Sequence, residues 1–278
     1  MRSDLQPIPT ALVDHHINRA HSSHHDSSDA KVPRAFIQTE WGYATDLPHH
    51  NITQDKGGFV HLVCPLHGND PPCRGCGNRV HHSDSFVIAV DGACPSNGKR
   101  NDLVFSSAGV YVGKGSVLNH GCTLVDRGAT NQKAELQAAI RGLKMALTPQ
   151  FQALQEEKMN ILVIKTDSDY VYKGITSWID KWKINGWKSA AKNVVANRDL
   201  WEELDSAVRE VELRGTEVLF WWVPRKYNNE ADFWANQGYT EVQADRLEAF
   251  LDQTCGADVD LKYQVAQAGL EKYGSARS

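Results

Sequence analysis

The order of its apolar runs constrains this chain more than any single motif does. Three strand-like segments follow one another with no helix between them: "FVIAVDGA", then Ser107 to Gly113, then Ser116 to Val125, the last two joined by a Gly-Lys-Gly turn. From there strands alternate with helices. "TNQKAELQAAIRGLKMAL" sets Leu136, Ile140, Leu143 and Leu147 on one helical face, with Thr130 or Asn131 as the cap. "ILVIKTDSDYVYKGITSW" reads as a buried strand from Ile161 that stops at Asp167 and turns into helix. "NRDLWEELDSAVREVEL" gives a helix with Leu200, Leu204, Ala207, Val208 and Val211 inward, and "EVLFWWV" is the last strand, followed by a short helix that carries Asp232. Consecutive strands followed by strand–helix alternation predict an α/β class, a mixed five-stranded sheet flanked by helices.

The rest of the chain divides around that block, which spans residues 84–240. Residues 1–58 are rich in His, Ser and Asp, as in "HHINRAHSSHHDSSDAK", and their lack of apolar periodicity predicts a segment mostly without fixed structure. "AFIQTEWGYATDL" within it reads as a short docking segment. Residues 59–83 collect Cys, His, Pro and Gly, and residues 241–278 read as an amphipathic helical extension with Val242, Leu247, Phe250 and Leu251 on one face. No apolar run approaches a membrane span and no apolar stretch follows the N-terminal Met-Arg-Ser, so an intracellular protein is expected, nuclear or cytoplasmic. The net charge of −4 argues against a wholly basic nucleic-acid coat, but the charge is unevenly spread. Between Lys173 and Arg198 lie Lys181, Lys183, Lys188 and Lys192 against one acid, Asp180, a net of five positive charges interleaved with Trp178, Trp182 and Trp187. Cations attract a phosphate backbone and aromatic faces pack on sugars or bases, as in a nucleic-acid groove. The competing reading is a solvated helix over core tryptophans.

Four acids fall at the ends of these elements: Asp91 on the first strand, Glu135 in the first turns of a helix, Asp167 after the fourth strand and Asp232 after the fifth. Each alone has an ordinary reading as a turn former, a cap or a solvated side chain. If the first and fourth strands pair, however, Asp91 and Asp167 become neighbours, and crowded carboxylates repel unless a cation sits among them. Oxygen ligands without Cys or His select a hard ion such as Mg or Mn. Two such ions roughly 4 Å apart would stabilise the attacking and leaving oxygens of phosphodiester hydrolysis.

With "DGACPSNG", "TNQKAELQAAI", "TDSDYVYKGITSWIDKWKINGWK", "NRDLWEELD" and "NNEADFWAN", the chain from Phe86 to Tyr239 resembles a cellular type 1 ribonuclease H. The resemblance implies a ribonuclease H-like fold acting on RNA/DNA hybrids, with Asp91, Glu135, Asp167 and Asp232 as metal-binding catalytic carboxylates. The products it implies are a 3′-hydroxyl and a 5′-phosphate. It also implies a basic protrusion that grips the DNA strand, with Tyr170, Trp178 and Trp182 in the DNA channel beside Lys181, Lys183 and Lys188. Thr130 and Asn197 match a DNA-phosphate pocket whose expected Arg is displaced to Arg127. Asn97, Asn131 and Gln132 match residues that reach into the minor groove, where 2′-hydroxyls identify RNA. Many members carry a His between the last strand and the final helix; "VPRKYNNEAD" has none, and Arg225 or Lys226 is the candidate to screen the departing phosphate. The rival from another class is a module that binds hybrid or double-stranded RNA with little or no cleavage.

One further motif stands apart. "CPLHGNDPPCRGC" spaces Cys64 with His67 and Cys73 with Cys76 as two chelating pairs, a pattern suited to one structural zinc, with His61 as the alternative to His67. Unbonded cysteines are the competing reading. A monomer is expected, and nothing in the sequence points to a particular protein partner.

Overall fold

A computed structural model describes residues 34–45, 47–65, 80–95 and 103–238, together with positions 249, 252 and 260. A five-stranded sheet is built from β3 (Ser85–Ala93), β4 (Leu103–Tyr111), β5 (His120–Arg127), β6 (Ile161–Thr166) and β7 (Glu217–Trp222), in the spatial order β5-β4-β3-β6-β7. β3, β4 and β5 pair antiparallel, and β6 and β7 join β3 in parallel. The mixed sheet expected from the element order is therefore present, because hairpins reverse direction and helical crossovers preserve it. The β4–β5 connection is longer than a Gly-Lys-Gly turn. β4 ends at Tyr111, and Asn119 closes the loop, accepting from the Val112 amide at 2.7 Å and donating to the Gly113 carbonyl at 2.6 Å.

One sheet face carries Phe86, Ile88, Val90, Leu162, Ile164, Val218 and Phe220. It is covered by α1 (Asn131–Ala146) and by α5 (Arg198–Glu212), with the short helices α2 (Pro149–Leu154), α3 (Asp169–Lys173) and α4 (Ile179–Ile184) beside them. α1 starts where Thr130 accepts a hydrogen bond from the Lys133 amide at 3.3 Å, and it buries Leu136, Ile140 and Leu143. α5 buries Leu200, Trp201, Leu204, Ala207, Val208 and Val211. α6 (Asn229–Gly238) lies on the opposite face, over β4 and β5. A Cβ at position 109 would stand 2.2 Å from the Ala235 nitrogen, so the Gly there lets helix backbone meet strand backbone. None of the helices among the described residues is long and apolar enough to cross a membrane.

Residues 34–45 and 47–58 cover the remainder of that second face: "AFIQTEWGYATDL" docks as expected, and the rest of the stretch, expected to lack fixed structure, is ordered with it. Phe36 donates to the Phe220 carbonyl at 2.8 Å and Phe220 to the Arg34 carbonyl at 2.7 Å, so the segment pairs with the open edge of β7. Phe36, Trp41, Tyr43 and Ile52 bury against Val87, Val163, Leu219, Trp221 and Val223. β1 (Thr53–Lys56) and β2 (Phe59–Leu62) form a separate hairpin, whose Val60 amide bonds to the Val112 carbonyl at 2.9 Å. The apolar residues of this stretch are spaced irregularly because they fill gaps one at a time, and that pattern carries no helix or strand period. The expected boundary at residue 59 thus falls inside a hairpin, and the first part of the Cys/His-rich segment is a core strand. Cys64 is half-buried and unbonded. His61 is buried, with Nδ1 2.6 Å from the Ser85 carbonyl oxygen. His67, Cys73 and Cys76 lie outside the described residues, as does the expected C-terminal helix apart from three isolated positions.

Candidate active site

Three carboxylates meet where the parallel strands end. β3 carries Asp91 at its C-terminal end, and β6 runs parallel to it and stops at Thr166, one residue before Asp167. The third acid comes from α1, which approaches β3 closely because residue 92 is Gly: a Cβ there would stand 2.2 Å from the Ala134 carbonyl carbon and 2.3 Å from the Glu135 nitrogen. One oxygen each from Asp91, Glu135 and Asp167 lies within 4.8 Å of the other two. Burial, then the neighbouring charges of Asp167 and Asp232, push Asp91 up from 3.8 to about 7. Burial, then Asp91 and Asp167, lift Glu135 well above the ordinary carboxylate range. The Glu135 Oε2 is buried without a hydrogen-bond partner. A divalent cation satisfies all of these conditions at once, by neutralising the repulsion and coordinating the orphaned oxygen.

Asp232 joins this group only in part. Its charge reaches Asp91, but its carboxylate accepts from Arg225 Nη2 and from Asn236 Nδ2, the latter at 3.0 Å. The structure therefore brings three of the four expected acids into one cluster and leaves the fourth at its rim, paired with a cation of the preceding loop.

That loop is held from below. Lys165 on β6 donates from Nζ to the Tyr227 carbonyl at 3.0 Å, and the His49 ring stacks on Tyr227 at 4.5 Å and on Trp221 at 5.6 Å. The loop contains no His, yet the N-terminal segment brings one against its inner side. Burial, then the charges of Lys165 and Lys226, keep His49 below the usual imidazole range. Lys226 itself is exposed, with Nζ 4.8 Å from the Tyr227 ring centroid.

The expected nucleic-acid residues separate by their partners. Trp178 and Trp182 are half-buried, with rings 5.7 Å apart, and Tyr170 accepts from Trp201 Nε1 at 3.1 Å and from Asn197 Nδ2 at 3.4 Å. Asn197 has a φ of 55°, a left-handed conformation that Asn tolerates. The Thr130 hydroxyl caps α1, Asn131 accepts from the Cys94 amide at 3.1 Å, and Gln132 is exposed. Lys181 and Lys188 are exposed without an ion pair among the described residues, whereas Lys183 binds Asp205 at 2.6 Å, beside Arg34 and Arg209 on the same carboxylate. Lys183 is thus drawn into an internal ion cluster that its local charge run did not reveal. Asn97 lies outside the described residues. Sequence reasoning passed over His49, Lys165 and Asn228. The first two act through contacts distant in sequence, and Asn228 was visible only as part of "NNEAD".

Comparison with known proteins covers the same part of the chain. The RNase H family model matches residues 83–240. Human ribonuclease H1 is 36% identical over 159 residues, a match covering 56% of this chain and 50% of that protein, so the chain spans about half the length of this relative. Ribonuclease H of Pseudomonas putida strain W619 is 39% identical over 171 residues, covering 59% of this chain and 99% of that protein. Among solved structures, RNase H1 from the halophilic archaeon Halobacterium salinarum NRC-1 is 23% identical, with 55% of this chain and 96% of that chain covered at a TM-score of 0.35.

Proposed function

The chain belongs to the RNase H family, and we propose on that ground that it hydrolyses the RNA strand of RNA/DNA hybrids, leaving a 3′-hydroxyl and a 5′-phosphate. The observation that carries this reading is the cluster of buried Asp91 with half-buried Glu135 and Asp167, in which Glu135 Oε2 has no hydrogen-bond partner among the described residues. Repelling acids are costly to bury, and a pure binding module has no use for them. Asp91, Glu135 and Asp167, with Asp232 at the rim, are the residues that would hold two Mg or Mn ions. Bound there, the ions would supply Lewis-acid activation of water and charge stabilisation at the phosphate.

The chain's own groups do the rest. Lys181, Lys188 and Lys226 meet the nucleic-acid backbone, and Trp178 and Trp182 offer ring surface beside them. Asn131 and Gln132, at the start of α1, stand next to Glu135 in sequence, where a sugar hydroxyl can be read beside the reacting phosphate. Arg225 holds Asp232 and adds positive charge at the rim. In the reaction a water oxygen bonds to phosphorus while the bond from phosphorus to the 3′-oxygen breaks, and that oxygen leaves as a hydroxyl.

The test is cleavage of an end-labelled hybrid with and without Mg, beside Asp91→Asn. Cleavage that needs the cation and is lost in Asp91→Asn, with hybrid binding kept, supports the reading; binding without cleavage by the unaltered chain would turn it into the module described above. A zinc ion on Cys64, His67, Cys73 and Cys76 is a separate proposal that rests on spacing alone. Metal analysis of the purified chain decides it.

A further inference from the structure

Asn228 is fully buried, at 0% exposure, in the residue just before α6. Its Nδ2 donates twice, to the Val90 carbonyl at 3.0 Å and to the Asp167 Oδ1 at 2.9 Å. Both partners are acceptors only, so the amide has one workable orientation; turned over, it would set its own oxygen against a carbonyl and a carboxylate. The backbone is used as well. The Asn228 carbonyl accepts from the Asp232 amide at 3.1 Å, and the Asn228 amide donates to the Arg225 carbonyl at 2.9 Å. One residue therefore ties the carbonyl next to Asp91, the carboxylate of Asp167 and the first turn that bears Asp232.

The arrangement carries a cost that packing does not explain. Asn228 Oδ1 is buried without a hydrogen-bond partner among the described residues, and an unmet buried acceptor is destabilising. An apolar residue of similar volume would fill the same space with no such penalty. It could not donate to Asp167. The loop is also braced from the other side, through Lys165 on the Tyr227 carbonyl and His49 on the Tyr227 ring, contacts that involve none of the clustered acids.

We propose that Asn228 is a positioning residue for the cation site: by holding one oxygen of Asp167 against the end of β3, it fixes the direction in which that carboxylate coordinates. This rests on the reading of Asp91, Glu135 and Asp167 as cation ligands. Hydrogen-bonded supports behind metal ligands typically set about 10–100-fold in metal affinity or activity.

The experiment uses the full chain and Mn, with binding followed by the loss of free-ion electron paramagnetic resonance signal in the absence of nucleic acid, so that it does not depend on turnover. Asn228→Ala removes the donor and Asn228→Asp keeps the shape while offering an acceptor to Asp167. Both are expected to weaken Mn binding by about tenfold or more. The Mn concentration for half-maximal cleavage rises by the same factor, while KM for the hybrid and its salt dependence stay unchanged. Wild-type Mn affinity in both variants overturns the proposal. So does a large fall in metal-free melting temperature with unaltered affinity in the folded fraction, which would make Asn228 a packing residue. If the unaltered chain binds no Mn, and Asp91→Asn changes nothing, the cation-site reading fails instead.

Discussion

At Asp91 and Glu135 the fold works against its own ionisation. Both groups are shifted upward, so the folded, cation-free chain keeps protons that the unfolded chain releases above its ordinary carboxylate range. Stability in chelator is therefore expected to fall as the pH climbs from 3.8 to about 7, since the native state binds more protons over that window. The Asp91 shift corresponds to roughly 4 kcal/mol if fully expressed. Saturating Mg should flatten or reverse the fall, because the cation favours the ionised form that the protein alone disfavours, and Asp91→Asn should remove much of the slope in chelator. Thermal melts from pH 5 to pH 8 with and without Mg check this; identical slopes in the two series would mean that no cation reaches these acids. Asp205 acts in the opposite sense. Burial alone would raise it, but the hydrogen bond and charge of Lys183, with Arg34 and Arg209, bring it below the ordinary range. Its contribution is full above the ordinary carboxylate value and is lost as the pH falls below that value through the lowered folded one, so the two effects occupy different windows.

Among the elements, the segment of residues 34–62 carries the clearest consequence. It supplies an added pairing to β7 and packs Phe36, Trp41, Tyr43 and Ile52 in one cluster with Val163, Leu219 and Trp221, so without it the β6–β7 part of that face meets water. Phe36→Ala should cost about 3–5 kcal/mol in urea unfolding, as expected for a buried aromatic in a well-packed cluster. A truncation that begins at residue 59 should unfold at markedly lower urea or lose cooperativity. Unfolding of that truncation at the full chain's midpoint would reduce the segment to a passive cover. The contrast with the rest of the sheet explains what was legible. α1 and α5 announce themselves because each buries one face, which imposes a period, and β3, β6 and β7 because burial on both faces leaves continuous apolar runs. Phe36, Trp41, Tyr43 and Ile52 are anchors separated by turns, and an anchor has no period. The site divides in the same way. Asp91, Glu135 and Asp167 could be read from the ends of periodic elements, whereas the outward turn of Asp232 toward Arg225 and the inward amide of Asn228 depend on how one irregular loop is folded.

For the molecule as a whole, a net charge of −4 conceals a surface whose cations are sorted by local and tertiary pairing. Of the six cations between Lys173 and Arg198, Lys173 pairs with Asp169, Lys183 with Asp205 and Arg198 with Glu202, which leaves Lys181, Lys188 and Lys192 exposed with no such pairing among the described residues. A cation that already neutralises a carboxylate releases few counterions when nucleic acid arrives, while an exposed one releases close to a full share. Removing one cation that meets a phosphate should lower the slope of log affinity against log salt by roughly 0.7–0.9. The double change Lys181→Ala with Lys188→Ala is therefore expected to flatten the slope for hybrid binding by roughly 1.5 and to leave the melting temperature nearly unchanged. Lys183→Ala should do the reverse, keeping the slope and lowering the melting temperature, because the buried Asp205 then loses one of the three cations that neutralise it among the described residues. Fluorescence-anisotropy titrations of a catalytically silent Asp91→Asn background across a salt series, beside melts of the same variants, separate the two behaviours. A slope that falls as much for Lys183→Ala as for Lys181→Ala would show that the ion cluster around Asp205 opens on binding, and that Lys183 leaves its internal partner for a phosphate.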